Sequence, residues 1–268
     1  MILARDEAAR SEGGSASMPN FPYVKGFAEW EKFLPNQHVN SRLYEGPLGG
    51  YLGKLYGSLS SELSLQNSIE RWNLESPEEW SVAEMASGRL HLHLICFLVG
   101  LVGARRVLEI GTFVGLSALE LATVLPEGGE VVTVEVLPKY RAIAERNIKK
   151  NRMESAIKVL EGDALDLLRQ GAISGNFDFA FIDGDKGRYL DYVREILPRM
   201  NRNGLIAVDD VFFQGDVFNQ QPQTDKGAGV RRCIEWAARN SDLEVTFVPI
   251  SNGLMLVRKR GGSQRLAR

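Results

Sequence analysis

The sequence predicts an α/β fold: a seven-stranded, mostly parallel sheet with an antiparallel last strand and helices on both faces. Beyond Gly88, short apolar segments alternate with amphipathic ones, as in parallel strands joined by right-handed helical crossovers. The last two apolar segments are separated only by Ser251, Asn252 and Gly253. Such a hairpin turn is too short for a crossover helix, so the last strand should run antiparallel to its neighbour.

Seven short apolar runs, each bounded by turn-forming residues, are predicted to be the strands. They are Arg106–Ile110, Glu130–Val136, Ile157–Glu161, Phe177–Asp183, Gly204–Asp209, Glu244–Ile250 and Leu254–Arg258. Helices are predicted in the intervals, among them Ser117–Leu125, Ala164–Gln170 and Gly187–Met200. In an open α/β sheet of this kind, ligands bind at the carboxyl ends of the parallel strands.

Composition indicates a globular protein with one main domain. The chain has 268 residues, 44% of them hydrophobic and 25% charged, and a formal net charge of −2, which gives no general electrostatic reason to bind nucleic acid or an anionic membrane. Cys96 and Cys233 lie far apart in apolar helical contexts, which disfavours a disulfide framework or a zinc site. No membrane segment is predicted, and we expect a cytoplasmic protein.

The segment Arg106–Gly115 is the most informative part of the chain. It is an apolar strand that ends in an acid and a glycine and opens onto a turn followed by a helix. Gly111 and Gly115 permit a sharp turn and a close approach to a ligand. The spacing differs from the G-x-G-x-x-G pattern that binds a pyrophosphate, and Glu109 would repel phosphate. A nucleoside-type cofactor without phosphate is favoured.

Acids recur at the carboxyl ends of the predicted parallel strands. They are Glu109, Glu135, Asp183 with Asp185, and Asp209 with Asp210. Glu135 follows Gly111 by 24 residues, at the place from which a carboxylate accepts hydrogen bonds from ribose hydroxyls. After the third strand, Asp163 and Ala164 are placed to meet an adenine ring. The alternative for Asp163 is an ordinary N-cap of the following helix.

Asp183, Asp209 and Asp210 are predicted to meet beside Lys186, because adjacent strands end there. Unpaired carboxylates repel and raise one another's pKa, so a divalent cation is the natural compensation. Oxygen ligands alone suit magnesium first, with manganese or calcium as alternatives, rather than zinc. A structural acid cluster offset by Lys186 and Arg188 is the other interpretation.

Histidine is scarce, and we expect none of the three (His38, His91 and His93) at the ligand edge of the sheet. A Ser-His-Asp or Cys-His mechanism is therefore disfavoured. His91 and His93 are predicted on a helix that packs against the first strand. Lys186 is then the candidate proton acceptor, or the cation that stabilises an oxyanion.

The chain resembles the cation-dependent class I O-methyltransferases, which include the caffeoyl-CoA and small bacterial catechol-type enzymes. The resemblance runs from about Met85 to Lys259. The motifs that carry it are Arg106–Gly115, the Tyr140–Asn147 helix, Gly162-Asp163-Ala164, Phe181–Lys186, Tyr189 with Tyr192, Asp209-Asp210 and Asn252-Gly253. The family usually has Asp-Asn at the last acidic pair, so Asp210 is a departure that puts metal preference and substrate ionisation in doubt.

The resemblance implies a Rossmann-like class I methyltransferase fold with S-adenosylmethionine in the loop after the first strand. It places the cofactor's methionine moiety near Glu109, Gly111, Thr112 and Ser117, its ribose on Glu135, its adenine on Ala164 with Asp163, and its amino-acid end near Asp185 and Tyr192. Met85 and Ser87 form the preceding wall of the cofactor site. By the same resemblance Asp183, Asp209 and Asp210 bind the divalent cation.

The implied reaction is methylation of a hydroxyl on a catechol-like or other vicinal-oxygen small molecule. Metal chelation lowers the hydroxyl pKa, and Lys186, with Asp183, handles the proton or the oxyanion. Phe212, Phe213 and Gln214 are predicted to shape the acceptor pocket. Two alternatives remain: a tRNA wobble-uridine methyltransferase, disfavoured by the near-neutral charge, and a non-catalytic cofactor-binding module, disfavoured because Lys186 and the three acids are all present.

Four regions are expected along the chain. Residues 1–20 are predicted to be disordered, and residues 21–84 to form a helical extension that acts as a lid or a dimer surface. Residues 85–260 form the methyltransferase domain, and residues 261–268 a polar tail. A homodimer is expected from the resemblance.

Overall fold

A computed structural model describes residues 71–79, 82–85 and 89–261 of the chain. The predictions for residues 1–70, for Ser87 and for the tail beyond residue 261 lie outside the described residues. Within the described ranges, no helix is long and apolar enough to cross a membrane.

Strands and helices alternate along the described chain. The strands are β1 (Arg106–Ile110), β2 (Glu130–Glu135), β3 (Ile157–Glu161), β4 (Phe177–Ile182), β5 (Met200–Val208), β6 (Leu243–Val248) and β7 (Leu254–Lys259). The α-helices are α1 (Val82–Met85), α2 (Arg89–Leu101), α3 (Leu116–Thr123), α4 (Pro138–Lys150), α5 (Ala164–Arg169), α6 (Tyr189–Ile196) and α7 (Asp225–Arg239). Short 3₁₀ turns span Lys186–Arg188, Leu197–Arg199 and Phe213–Phe218.

The strands form one sheet in the order β3-β2-β1-β4-β5-β7-β6. The first five strands are parallel, and β7 lies between β5 and β6, antiparallel to both. The predicted parallel sheet with an antiparallel last strand is confirmed. In register, Ile110 at the end of β1 pairs with Val134 on one side and Ile182 on the other. The carboxyl ends of the central strands therefore lie level at one edge.

Several predicted boundaries are wrong by one to four residues. The strands β4 and β5 end at Ile182 and Val208, so Asp183 and Asp209 begin the following loops rather than closing the strands. Strand β5 begins at Met200, not Gly204. The predicted helix Gly187–Met200 is divided into α6 and two flanking 3₁₀ turns. The last turn of the predicted helix contains Pro198, which lacks the N–H group that an α-helix would need there.

The sheet is covered by helices on both faces, as predicted. Helices α5, α6 and α7 pack on one face, in a core that includes Leu108 and Ile110. Helices α2, α3 and α4 pack on the other, against Val107, Phe179 and their neighbours. Successive side chains of a strand point to opposite faces, so a sheet buried on both sides needs nearly continuous apolar strands. This explains why the strands could be predicted from the sequence as short apolar runs.

Gly111 joins the end of β1 to the end of β4 by a close backbone contact. It has φ +101°, and a Cβ atom at this position would overlap the carbonyl oxygen of Asp183. The amide of Asp183 in turn donates to the Ile110 carbonyl at 2.9 Å. Only glycine meets both the conformational and the steric requirement here.

We expect Gly111→Ala to lower the free energy of unfolding by about 2 kcal/mol more than Gly171→Ala does. Both glycines have positive φ, but a Cβ atom at Gly171 meets nothing within 4 Å. The control therefore carries the conformational cost without the overlap. Urea denaturation of the two variants and the parent chain measures the difference. Equal losses would show that the contact with Asp183 is not limiting.

Candidate functional site

A cleft opens at the carboxyl end of β1. Its lining residues are Met85, Leu92, Gly111, Thr112, Phe113, Leu116, Ser117 and Asp183. The structure thus brings together Met85, Gly111, Thr112, Ser117 and Asp183, all predicted site residues. Leu92, Phe113 and Leu116 were not predicted, because apolar residues in a helix or a loop look like core residues in the sequence.

The loop after β1 is held in shape by the carboxylate of Glu135, at the end of β2. It accepts hydrogen bonds from the backbone N–H groups of Thr112 (3.3 Å), Phe113 (2.8 Å) and Leu137 (2.9 Å). Phe113 and Gly115 have positive φ (49° and 89°), so the loop turns twice within a few residues. Glu135 therefore organises the cleft, and its predicted contact with a ribose stays a prediction.

Glu109 is fully buried beneath the cleft. Its Oε2 accepts a 2.5 Å hydrogen bond from the Thr133 hydroxyl, which lies 2.6 Å from the Thr112 hydroxyl. Its other oxygen, Oε1, has no hydrogen-bond partner among the described residues. Burial raises the pKa of Glu109 to about 7. A buried, incompletely paired acid of this kind favours a cationic or hydrogen-bond-donating ligand group nearby.

Asp163 is the N-cap of α5, as its alternative interpretation predicted. Its Oδ1 accepts from the N–H groups of Leu165 (2.9 Å) and Asp166 (3.2 Å), and its Oδ2 accepts from the guanidinium of Arg188. The hydrogen bond from Arg188 is the main cause of the lowered pKa of Asp163. Ala164 is buried at the start of the helix. Their predicted contact with adenine stays a prediction.

Asp185 and Tyr192 lie after β4 at the same edge. Asp185 is exposed, and its Oδ1 caps the following 3₁₀ turn by accepting from the Gly187 N–H at 3.0 Å. The Tyr192 ring is buried, and the guanidinium carbon of Arg188 lies 5.9 Å from its centre. Their predicted contact with the amino-acid end of a cofactor also stays a prediction.

Three carboxylates and one ammonium meet where β4 and β5 end, as predicted. The Nζ atom of Lys186 lies 3.0 Å from Asp183 Oδ1 and 2.9 Å from Asp210 Oδ2. Asp209 Oδ1 accepts a 2.6 Å hydrogen bond from the Asp210 N–H. We call Asp183, Asp209 and Asp210 the carboxylate cluster. Asp183 also lines the cleft, so the cluster and the cleft are one continuous site.

The charges of the carboxylate cluster are only partly balanced. Burial, with the neighbouring carboxylates, raises the pKa of Asp209 well above its ordinary value. Burial also raises the pKa of Asp183, although Lys186 opposes the shift. For Asp210, burial acts in the same direction but the attraction of Lys186 prevails, so its pKa is lowered. The cluster therefore holds more negative potential than one ammonium offsets.

Within residues 71–79, 82–85 and 89–261, no three His, Cys, Asp or Glu side chains form a ready-made cation site in this arrangement. Lys186 bridges Asp183 and Asp210. The ligand role of the carboxylate cluster stays a prediction.

The expectation that no histidine lies at the ligand edge is wrong. His91 is 1% exposed, and its Nε2 atom lies 3.3 Å from Asp209 Oδ1. Helix α2 packs against the sheet and carries this ring to the carboxylate cluster, whereas His93 points to solvent. Two positions apart on a helix, side chains point in different directions, so the H-x-H pattern signalled that only one ring would be buried. It did not signal which strand end that ring would reach.

The segment predicted to shape the acceptor pocket follows directly on Asp210. Asp210, Phe213 and Gln214 have positive φ (53°, 38° and 52°), a strained run for residues other than glycine. Phe213 is 7% exposed and packs in the core. None of Phe212, Phe213 and Gln214 lines the cleft around Gly111. Their role in acceptor binding stays a prediction.

Asn252 holds this segment in place; in the sequence it was noted as a turn residue and as part of a family motif, but not as a site residue. Its carbonyl oxygen accepts from the Phe212 N–H at 2.7 Å, and its Oδ1 accepts from the Gln214 N–H at 2.9 Å. A Cβ atom at Gly253 would collide with the Phe212 ring. The Asn-Gly turn between β6 and β7 thus packs against the loop that carries Asp210.

The parallel sheet, its antiparallel last strand and the cleft after β1 define a Rossmann-like class I methyltransferase fold. The comparison with known proteins gives the family.

The chain belongs to the O-methyltransferase family, which it matches over residues 62–260. It is 30% identical over 237 residues to catechol O-methyltransferase domain-containing protein 1 of Mus musculus, covering 87% of this chain and 85% of that protein. It is 35% identical over 156 residues to the catechol O-methyltransferase of Niastella koreensis, covering 56% and 69% respectively. The protein is therefore an O-methyltransferase, and the predicted family and enzyme class are confirmed.

A solved structure agrees with this assignment. The O-methyltransferase TomG from Streptomyces achromogenes, in complex with SAM, has a TM-score of 0.63 and 27% sequence identity, covering 72% of this chain and 86% of that one.

Stability should depend on pH through Glu109. Its folded-state pKa of about 7 exceeds the ordinary 4.5, so folding favours the neutral acid. The resulting stabilisation is complete below about pH 4.5 and is lost as the pH rises through about 7. Glu109→Gln stays neutral, so relative to the parent chain it should gain up to about 3 kcal/mol of unfolding free energy between pH 4.5 and pH 8.

Urea denaturation at several pH values measures this relative gain. Glu127→Gln, at an exposed glutamate, is the control and should retain the pH dependence of the parent chain. If Glu109→Gln also retains it, Glu109 is not the group that titrates.

Proposed function

We propose that this O-methyltransferase moves the methyl group of S-adenosylmethionine to a hydroxyl of a catechol-like or other vicinal-oxygen small molecule, with a divalent cation held by the carboxylate cluster. The observation that carries the proposal is the continuity of the cleft and the carboxylate cluster through Asp183. A cofactor in the cleft and an acceptor at the cluster would then be neighbours. The catechol O-methyltransferase relatives support the acceptor class.

The cleft fits S-adenosylmethionine by its chemistry. Glu109 is buried beneath the floor of the cleft, and among the described residues its Oε1 atom has no hydrogen-bond partner, which suits a cationic group. Leu92, Phe113 and Leu116 supply an apolar wall that suits an uncharged part of a ligand. The described lining of the cleft includes no basic side chain, and it includes Leu116 and Ser117 from the first turn of α3. When bound, S-adenosylmethionine supplies an activated methyl group on a sulfonium.

The carboxylate cluster fits a divalent cation by its charge. Three acids share the positive charge of Lys186, and their burial raises the pKa of Asp183 and Asp209. Asp183, Asp209 and Asp210 would hold the cation, after Asp183 and Asp210 turn away from Lys186. Magnesium suits these oxygen ligands best, with manganese or calcium as alternatives. When bound, the cation lowers the pKa of a chelated hydroxyl.

Lys186 acts next to the reacting oxygen in this proposal. Its side chain is 16% exposed, and its ammonium contacts two carboxylates, which, against the effect of burial, raise the pKa of Lys186 and keep it protonated. In this state the residue is suited to stabilise an acceptor oxyanion more than to take its proton, which would leave to solvent once the cation has lowered the pKa of the hydroxyl. Attraction between Lys186 and the oxyanion would hold the oxygen in line with the methyl group, and alignment is the main demand of such a transfer.

Three further parts of the proposal concern the protein's surroundings. The acceptor is a small molecule, and the chain's net charge of −2 supports this over RNA, which normally requires a basic face. We also propose a homodimer and a cytoplasmic location. Phe212 and Gln214, beside Asp210, are proposed to contact the acceptor.

Metal dependence is tested by methyl transfer to a panel of catechols, with Mg²⁺ present and with it chelated. We expect turnover to need Mg²⁺ and to fall at least about 100-fold in Asp183→Ala, since a cation ligand is lost. Asp191→Ala removes an exposed carboxylate of α6 and should leave turnover unchanged. Full turnover in the presence of chelator would contradict the proposal.

The role of Lys186 is tested by Lys186→Met. We expect kcat to fall by about 10²-fold, because the cation beside the oxyanion is lost. Affinity for Mg²⁺, measured by calorimetry, should be retained or increased, because Asp183 and Asp210 lose a competing partner. Lys226→Met, at an exposed lysine of α7, is the control. Unchanged kcat in Lys186→Met would exclude Lys186 from the reaction.

A further inference from the structure

We propose that His91 is a nitrogen ligand of the cation held by the carboxylate cluster, and that it shifts the preference of this site from Mg²⁺ towards Mn²⁺ and later first-row metals. The inference rests on the proposed function, since it presupposes that the cluster binds a cation. His91, on α2, would be a fourth ligand beside the three carboxylates that follow β4 and β5.

The first observation is the state of the His91 ring. It is 1% exposed, yet its Nε2 atom has no hydrogen-bond partner among the described residues. Leaving a buried polar atom unpaired costs about 1–3 kcal/mol, and native structures contain few such atoms. The ring rests against Phe181, with ring centres 6.2 Å apart. An apolar neighbour of this kind provides no partner for Nε2.

The second observation is where Nε2 points. It lies 3.3 Å from Asp209 Oδ1, yet the two atoms make no hydrogen bond. Two ligands each about 2.1 Å from one cation lie roughly 3.0–3.4 Å apart when the angle between them is between right-angled and tetrahedral. The separation of His91 Nε2 and Asp209 Oδ1 is therefore that of neighbouring ligands.

The third observation is that His91 and Lys186 contact different carboxylates of the carboxylate cluster. The ammonium of Lys186 bridges Asp183 and Asp210, whereas the imidazole reaches Asp209. A cation that meets Asp209 and His91 would replace the lysine as the partner of the other two acids. The lysine would then be released towards the acceptor.

Adding a nitrogen changes which cation the site prefers. Carboxylates alone suit Mg²⁺, Ca²⁺ or Mn²⁺, whereas imidazole favours transition metals over Mg²⁺. We therefore expect Mn²⁺ to bind wild-type protein more tightly than Mg²⁺. In His91→Gln the dissociation constant for Mn²⁺ should rise about tenfold, while that for Mg²⁺ should change less than about twofold.

The test loads the untagged full chain with Mn²⁺, without cofactor, and records electron spin echo envelope modulation, which detects a directly bound nitrogen. Wild type and His93→Gln should show ¹⁴N modulation, and His91→Gln should lose it. His93 lies on the same helix with its side chain exposed, so it is a matched control. Growth on ¹⁵N-histidine should convert the wild-type pattern to that of ¹⁵N, which tests the ligand without any substitution.

The outcomes separate this inference from the proposed function. If Mn²⁺ binds wild type without histidine modulation, the assignment of His91 is overturned. It is also overturned if the modulation persists in His91→Gln. Either result leaves metal-dependent transfer intact. Catechol methylation that continues under chelation, with no Mn²⁺ bound, would overturn the proposed metal dependence and this inference together.

Discussion

The close contact between the ends of β1 and β4 is the constraint on which the site depends. Gly111 approaches the Asp183 carbonyl so closely that no side chain fits between them, and the Asp183 amide bonds to Ile110. This contact brings the cleft and the first acid of the carboxylate cluster together. Strand β5 then adds Asp209 and Asp210 in register with β4. A site for two substrates follows from the alignment of parallel strand ends.

The same edge concentrates incompletely balanced polar groups. Within the part of the chain that the structure describes, Glu109 Oε1 and His91 Nε2 are buried without a hydrogen-bond partner, and the carboxylate cluster shares one ammonium. Burying such groups opposes folding. The sheet, covered by apolar cores on both faces, supplies the stability that tolerates them. A folded state that retains these groups is organised for ligands that complete their pairing.

Much of the fold was predictable because both faces of the sheet are buried, which makes every central strand a short apolar run. The site was predictable to the extent that its residues follow strands directly, as Gly111, Glu135, Asp183 and Asp209 do. The site contacts of residues brought in from elsewhere were missed. His91 on α2 and Asn252 in the β6–β7 turn reach the site only through packing, and the expectation that histidine would be absent failed for that reason.

The sequence by itself determined the α/β class, the antiparallel last strand, the glycine turn and the acids that follow the strands, because strand periodicity, turn chemistry and glycine requirements are local. Only the tertiary structure decided which partners those acids have. Asp163 caps a helix and pairs with Arg188, Glu135 holds the loop after β1, and Lys186 bridges Asp183 and Asp210. Hydrogen bonds and burial depend on atoms far apart in the chain, so local pattern does not specify them.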